Sequence, residues 1–265
     1  MVNRNEPKRK GWALVTGANR GLGLEFTRQL LAAGHRVAAC CRNPDRADDL
    51  RQLGDASDDR LAIRQLDLAD PAGLCSQAES LRELAGGIDL LVHNAGIFAD
   101  GEEGLRNFRR EEMLRVFQVN LFGPLALTRD LLPALGHGAK VSILTSRTGA
   151  LRPPTGDGAP GGQFSYPCSK AAVHRLVPTL ADDLRPLGIA VAGIDPGWVR
   201  TGMTEAAPTS DRYQLEPEQS VGGMLKVIES LDLDKSGRLW RWNRELSNWY
   251  APEETADERQ ESIQP

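Results

Sequence analysis

The sequence predicts a doubly wound α/β fold, one parallel sheet covered by helices on both faces and built as a single domain. Two observations carry this expectation. Short β-rich runs alternate with longer amphipathic segments, and the runs are apolar through most of their length, as strands buried on both faces must be. No linker divides residues 12–245, so the alternation belongs to one sheet. Right-handed crossovers then place ligands at the carboxyl ends of the strands. A chain of 265 residues, 40% of them hydrophobic, is long enough to bury such a core.

The elements follow in order. WALVTG (12–17) reads as the first strand and runs through a glycine-rich turn into the helix LGLEFTRQLLAAG. HRVAACC (35–41) and LAIRQLDL (61–68) are the next strands, followed by the helical stretches PDRADDLRQLG and PAGLCSQAESLRELAG. IDLLVHNAG (88–96) precedes one long helical stretch, EEMLRVFQVNLFGPLALTRDLLPALG. AKVSILTS (139–146) is separated by a Pro- and Gly-rich segment from SKAAVHRLVPTLADDLRPLG, where Pro178 predicts a kink two turns beyond Lys170. GIAVAGIDPG (188–197) is the sixth strand candidate. Residues 1–10, with Lys8, Arg9 and Lys10, read as a solvated tail because no apolar stretch follows the basic cluster. The folded domain is expected over 11–250, and 251–265 reads as a mobile tail whose one large apolar side chain is Ile263.

Composition excludes several classes. A net charge of -4 leaves no basic footprint for nucleic acid. No apolar run approaches the roughly 20 residues of a membrane span. Of the four cysteines, Cys40 and Cys41 are adjacent while Cys75 and Cys168 are isolated, so neither CxxC nor zinc spacing occurs and no metal is expected. A reduced, cytoplasmic protein is the simplest expectation.

The chemistry gathers at strand ends. TGANRGLG places Gly17, Gly21 and Gly23 between the first strand and the first helix, where a dinucleotide fold needs a tight turn, exposed backbone and a helix N-terminus facing a diphosphate. Asn19 and Leu22 belong to the same loop. After the second strand an acid would accept the ribose 2′-OH of NAD, but CCRNP supplies Arg42 instead, and Arg20 adds a second cation; the pair favours NADP(H). In YPCSK, Pro167 suits the first turn of a helix, and Tyr166 and Lys170 stand one turn apart, with Cβ atoms about 5–6 Å apart. Surface neighbours and a proton-transfer pair are both open to that spacing.

These motifs resemble the short-chain dehydrogenase/reductase family of compact, single-domain Rossmann type. TGANRGLG resembles its TGxxxGxG loop, HNAG (93–96) its NNAG, and YPCSK its YxxxK, across residues 11 to 250. CRNP, PGWVRT and SGRLWRWNRELSNW most resemble the carbonyl-reductase-like group around sniffer and C-factor proteins. The resemblance implies a catalytic set of Asn120, Ser146, Tyr166 and Lys170. Tyr166 would give its phenolic proton to a substrate oxygen, Ser146 would hydrogen-bond that oxygen, and Asn120 would hold a water linking Lys170 to solvent. Lys170 would lower the Tyr166 pKa and, with Tyr166, hold the nicotinamide ribose. Asp67 and Leu68 would meet the adenine, and Asn94, Ala95, Gly96, Pro196, Gly197, Val199 and Thr201 would complete the cofactor site.

Other residues have plainer readings. Ser142 and Thr145 are rivals of Ser146, Asp67 can equally cap the next helix, and Asn120 can stabilise a kink before Gly123 and Pro124. His174 reads as helix packing or a subunit contact, Cys168 as a small buried residue, and His93 departs modestly from NNAG. The expected function is NADP(H)-dependent oxidoreduction of a small-molecule carbonyl or alcohol by a homo-oligomer, dimer or tetramer. The alternative is a cofactor-binding regulatory or signalling protein with little turnover; an epimerase is disfavoured because too little chain follows Gly193. Segment 198–213 is expected to act as a lid, opposite a wall formed by 151–164.

Overall fold

The computed structural model describes residues 11–57, 59–84, 87–99, 103–151, 163–204 and 214–246. Strands β1 (Trp12–Thr16), β2 (Arg36–Cys41), β3 (Leu61–Gln65), β4 (Ile88–His93), β5 (Leu135–Leu144), β6 (Ala190–Asp195) and β7 (Arg238–Arg241) form one sheet. Its order is β3-β2-β1-β4-β5-β6-β7, and every pairing between neighbours is parallel. The winding reverses between β1 and β4, which opens a crevice at their carboxyl ends.

The period of two along each strand divides the core into two layers. On one face Leu14, Ala38, Cys40, Leu91, Ile143 and Val191 pack with helices α3 (Pro71–Arg82), α5 (Gly123–Leu131) and α6 (Ser165–Leu184). On the other face Ala13, Val15, Val37, Ala39, Val92 and Ile194 pack with α1 (Gly21–Ala32) and α7 (Pro217–Ser230). The inner strands β1, β2, β4 and β6 are buried on both faces, which is why they read as continuous apolar runs, while the edge strand β3 is half-buried. Helix α2 (Asp48–Asp55) lies between β2 and β3. No helix among the described residues is long and apolar enough to cross a membrane.

Three differences from the expected elements have physical causes. The long helical stretch divides into α4 (Arg110–Phe117), a π turn (Gln118–Phe122) and α5, and its LPALG end becomes a short 3-10 turn and the start of β5. Helix α7 was not expected, because Gly222 and Gly223 lower its helical propensity; Gly223 serves packing, since a Cβ there would lie 2.2 Å from the Trp242 carbonyl oxygen. Strand β7, only four residues long, is set by pairing with β6 rather than by its own pattern. Helix α6 runs on through Pro178 to Leu184. The two expected tails, most of the 151–164 segment and residues 205–213 of the expected lid lie outside the described residues.

Candidate active site

The crevice begins at the end of β1. Gly17 and Gly21 have φ of +65° and +54°, the left-handed region open to glycine. A Cβ on Gly23 would sit 2.2 Å from the Gly17 carbonyl oxygen, so only glycine lets α1 start this close to the turn. The first turn of α1 carries no acidic residue and Arg20 makes no side-chain cap, so its N–H groups remain available to an anion. Asn94 donates from Nδ2 to the carbonyl oxygens of Thr16 (2.8 Å) and Gly17 (3.1 Å), and the Thr16 hydroxyl accepts from the Asn94 and Ala95 amides at 3.1 and 3.0 Å. Thr16, which sequence reading passed over, thereby latches the two strands that border the crevice.

Arg20 and Arg42 are exposed at the ends of β1 and β2, as is Asn19, while Leu22 is half-buried. Asp67 does not cap α3; its Oδ1 accepts from the Ala69 amide at 2.9 Å, and Asp70 is the cap. Leu68 beside it is buried, and its carbonyl accepts from Gln118 at 3.0 Å.

The first two turns of α6 bring Tyr166 and Lys170 to the ends of β4 and β5. Lys170 is buried, donates from Nζ to the Leu144 carbonyl at 2.7 Å, and lies 5.6 Å from the centroid of the Tyr166 ring. A Cβ on Gly96 would stand 3.8 Å from Lys170 Nζ and 3.4 Å from Asn120 Oδ1, so the turn after β4 passes close over both. Ser146 is partly exposed just beyond β5 and accepts from the Thr148 amide at 3.3 Å, whereas its rivals Ser142 and Thr145 are fully enclosed.

The electrostatics differ from the sequence expectation. Burial pushes the Tyr166 phenol up to about 12; a hydrogen bond with Ser146 pulls it down and the Asp195 carboxylate pushes it further up. The direction is opposite to the lowering expected from Lys170, because desolvation of the ring is the largest influence and the Asp195 carboxylate acts the same way. Burial brings Lys170 down to about 8, with Asp195 opposing. Asp195 is itself buried at the end of β6, its Oδ1 accepting from the Gly197 amide at 3.2 Å, and burial raises its pKa. A carboxylate ending an apolar strand was the available signal for it.

Asn120 lies in the π turn, a departure common at functional sites. Its Oδ1 accepts from the Ile97 amide at 2.8 Å, and its Nδ2 donates to the Ile97 carbonyl and to Ser169 Oγ, both at 3.0 Å. Its side chain thus ties the turn after β4 to α6. His174, one turn beyond Lys170, is packed inside the protein; its imidazole is held down at about 4 by burial and by Lys170, against backbone hydrogen bonds at Ser146 and Gly149. His93 is buried, pairs with Thr128 at 2.8 Å, and is held down at about 3 by burial. Cys168 is exposed, contrary to expectation, because two residues from Tyr166 and from Lys170 it falls on the opposite side of the helix.

The segment after β6 closes the site. Gly197 has φ +81°, Ser220 of α7 donates to the Pro196 carbonyl at 2.7 Å, and Val199 is buried, bridging Leu215. A Cβ on Gly21 would be 3.5 Å from Thr201 Cγ2, so this segment meets the glycine loop directly. Thr204 Oγ1 donates to the carbonyls of Val199 and Thr201 at 2.6 and 2.9 Å, pinning the described part of the expected lid.

A family profile described as short chain dehydrogenase matches residues 11–212. The 1-hydroxy-2-glutathionyl-2-methyl-3-butene dehydrogenase of a Rhodococcus species is 32% identical over 89% of this chain and 98% of its own. An NADPH-bound carbonyl reductase from chicken fatty liver is 33% identical and superposes with a TM-score of 0.82, covering 91% of this chain and all of that one. The carbonyl reductase Sniffer of Drosophila melanogaster is 27% identical with a TM-score of 0.78, covering 89% of this chain and 98% of that one.

Proposed function

The chain belongs to the short-chain dehydrogenase family, and we propose that within it this protein is an NADPH-dependent carbonyl reductase acting on small organic molecules. The observation that carries the reading is the meeting of Tyr166, Lys170 and Ser146 at the strand ends that also carry a glycine turn, in which a Cβ on Gly23 would clash with the Gly17 carbonyl. The NADPH-bound chicken reductase, alike over its full length, adds support for the cofactor.

The residues present fit the nicotinamide dinucleotide. The N–H groups at the start of α1 and the turn Gly17–Gly23 would take the diphosphate, Arg20 and Arg42 the 2′-phosphate, and Asp67 and Leu68 the adenine. Asn94, Ala95 and Gly96, with Tyr166 and Lys170, would hold the nicotinamide ribose, and Pro196, Gly197, Val199 and Thr201 the ring. When bound, the cofactor supplies a hydride to the carbonyl carbon. Ser146 orients the carbonyl oxygen by hydrogen bonding, and Tyr166 gives that oxygen its phenolic proton. A phenol with its pKa pushed up to about 12 stays protonated at neutral pH, the form that a reductase needs as its acid. The phenolate left behind, hydrogen-bonded by Ser146 and one turn from the Lys170 ammonium, regains its proton from solvent water before the next turnover.

The cofactor assignment has a direct test. NADPH is expected to bind more tightly than NADH in a fluorescence titration. Arg42→Asp should weaken NADPH by about 10–100-fold, the loss of one or two charge-assisted hydrogen bonds, and reduce or reverse the preference. Equal affinities for the two cofactors in the unmodified protein would exclude the assignment.

A further inference from the structure

Helix α6 begins with Phe164 as its cap residue, which makes no side-chain cap, and its first turn contains no acid. A helix start of this kind leaves backbone N–H groups without partners in the interior, here one residue ahead of Tyr166. The missing acceptor comes from elsewhere in the chain. Glu103, between β4 and α4, accepts from the Phe164 amide at 2.9 Å and from the Ser165 amide at 2.8 Å through Oε2, and its Oε1 takes the Ser165 hydroxyl. Ser165 is fully buried, while Glu103 and Phe164 are half-buried. Pro167, two residues further on, has no N–H to satisfy.

The same connection makes two more contacts with this turn. The Phe98 ring lies 4.0 Å, centroid to centroid, from the Tyr166 ring at a tilt of 45°. Phe108 meets Phe164 edge-on at 6.5 Å. Three side chains from the β4–α4 connection therefore hold Phe164, Ser165 and Tyr166, and the carboxylate is the polar one, well suited to the positive end of the helix.

We propose that Glu103 is a positioning residue for the reaction: a helix cap supplied from a distant loop that fixes the start of α6 and hence the place of the Tyr166 hydroxyl. The proposal rests on the reading of Tyr166 as the proton donor. Its action is geometric. Glu103 is not among the groups that shift the Tyr166 phenol, so its charge is not what tunes the acid. Misplacing a reacting group by about 1 Å costs on the order of 10²-fold in rate.

Glu103→Ala is expected to lower kcat about 10–100-fold on any carbonyl compound the protein reduces, while KM for NADPH stays within about twofold. Amide exchange over 164–168 should quicken in this variant. Glu103→Gln, whose amide oxygen can still accept both N–H groups, should recover most of the turnover and the slow exchange, with the pH profile of kcat unmoved. If the alanine variant does not fold, Glu103→Asp keeps the charge one methylene short of the helix, and the same fall in kcat at unchanged NADPH affinity is expected. Tyr166→Phe measured alongside separates the two claims. Full turnover in Tyr166→Phe would overturn the proton-donor reading and this proposal with it. An inactive Tyr166→Phe beside a Glu103→Ala of ordinary kcat and exchange would overturn the cap alone, as would a Glu103→Gln as slow as Glu103→Ala.

Discussion

Tyr166→Phe is expected to fold, to bind NADPH within about threefold of the unmodified protein, and to lose about 10²–10⁴ of its turnover, the range for lost general acid catalysis. The substitution leaves the ring in place, so the contact with Phe98 persists and the start of α6 keeps its packing. What goes is the hydroxyl and its hydrogen bond with Ser146, worth about 1 kcal/mol in stability. The large effect therefore falls on the chemical step. A stopped reaction in a protein that still melts cooperatively and titrates with NADPH is the expected pattern, and ordinary turnover in this variant would exclude Tyr166 as the acid.

Lys170→Met carries the second large effect, divided differently between stability and function. Lys170 is buried, its ammonium held by the Leu144 carbonyl, and burial brings its pKa down to about 8. Methionine is of similar length and removes a buried charge, while leaving the Leu144 carbonyl without its donor. Each change is worth about 1–3 kcal/mol in opposite directions, so stability should move little. Turnover should fall at least 100-fold, and NADPH affinity about tenfold, as a charge-assisted contact is lost. The pH dependence separates this from general damage. With burial bringing its pKa down to about 8, Lys170 is expected to lose its charge as pH rises through that value, so NADPH affinity should fall there. In Lys170→Met that step should disappear. Retention of the step would assign it to another group.

Much of the fold was legible because the inner strands of the sheet are buried on both faces. Six strands announce themselves as apolar runs, and the layers of Leu14, Leu91 and Val191 against Val15, Val92 and Ile194 explain why no alternation marks them. What stayed hidden depends on tertiary contact. Helix α7 contains Gly222 and Gly223, and local propensity is blind to the packing of Trp242 on Gly223. The π turn at Asn120 is stabilised by Ile97 and Ser169, both distant in sequence. At the site, the residue types with a fixed spacing were readable: Gly17, Gly21 and Gly23, and Tyr166 with Lys170. Glu103, Phe98 and Thr16 were not, because their partners lie across the chain, and Asp195 offered only a carboxylate at the end of an apolar strand. The direction of the Tyr166 shift was misjudged for a related reason: spacing shows the neighbouring charge, but only the folded protein shows how much water the ring has lost.

The central claim is that this protein turns over, rather than merely holding its cofactor as a regulator of the same fold would. The measurement that bears on it most directly is the stoichiometry of NADPH consumed to alcohol formed across aldehydes, diketones, quinones and steroids, with Tyr166→Phe as the control. The account predicts at least one substrate for which one alcohol appears per NADPH oxidised, and the near-complete loss of that reaction in Tyr166→Phe. A protein that binds NADPH tightly yet forms no alcohol from any of these classes, or one in which Tyr166→Phe forms it equally fast, would contradict the account.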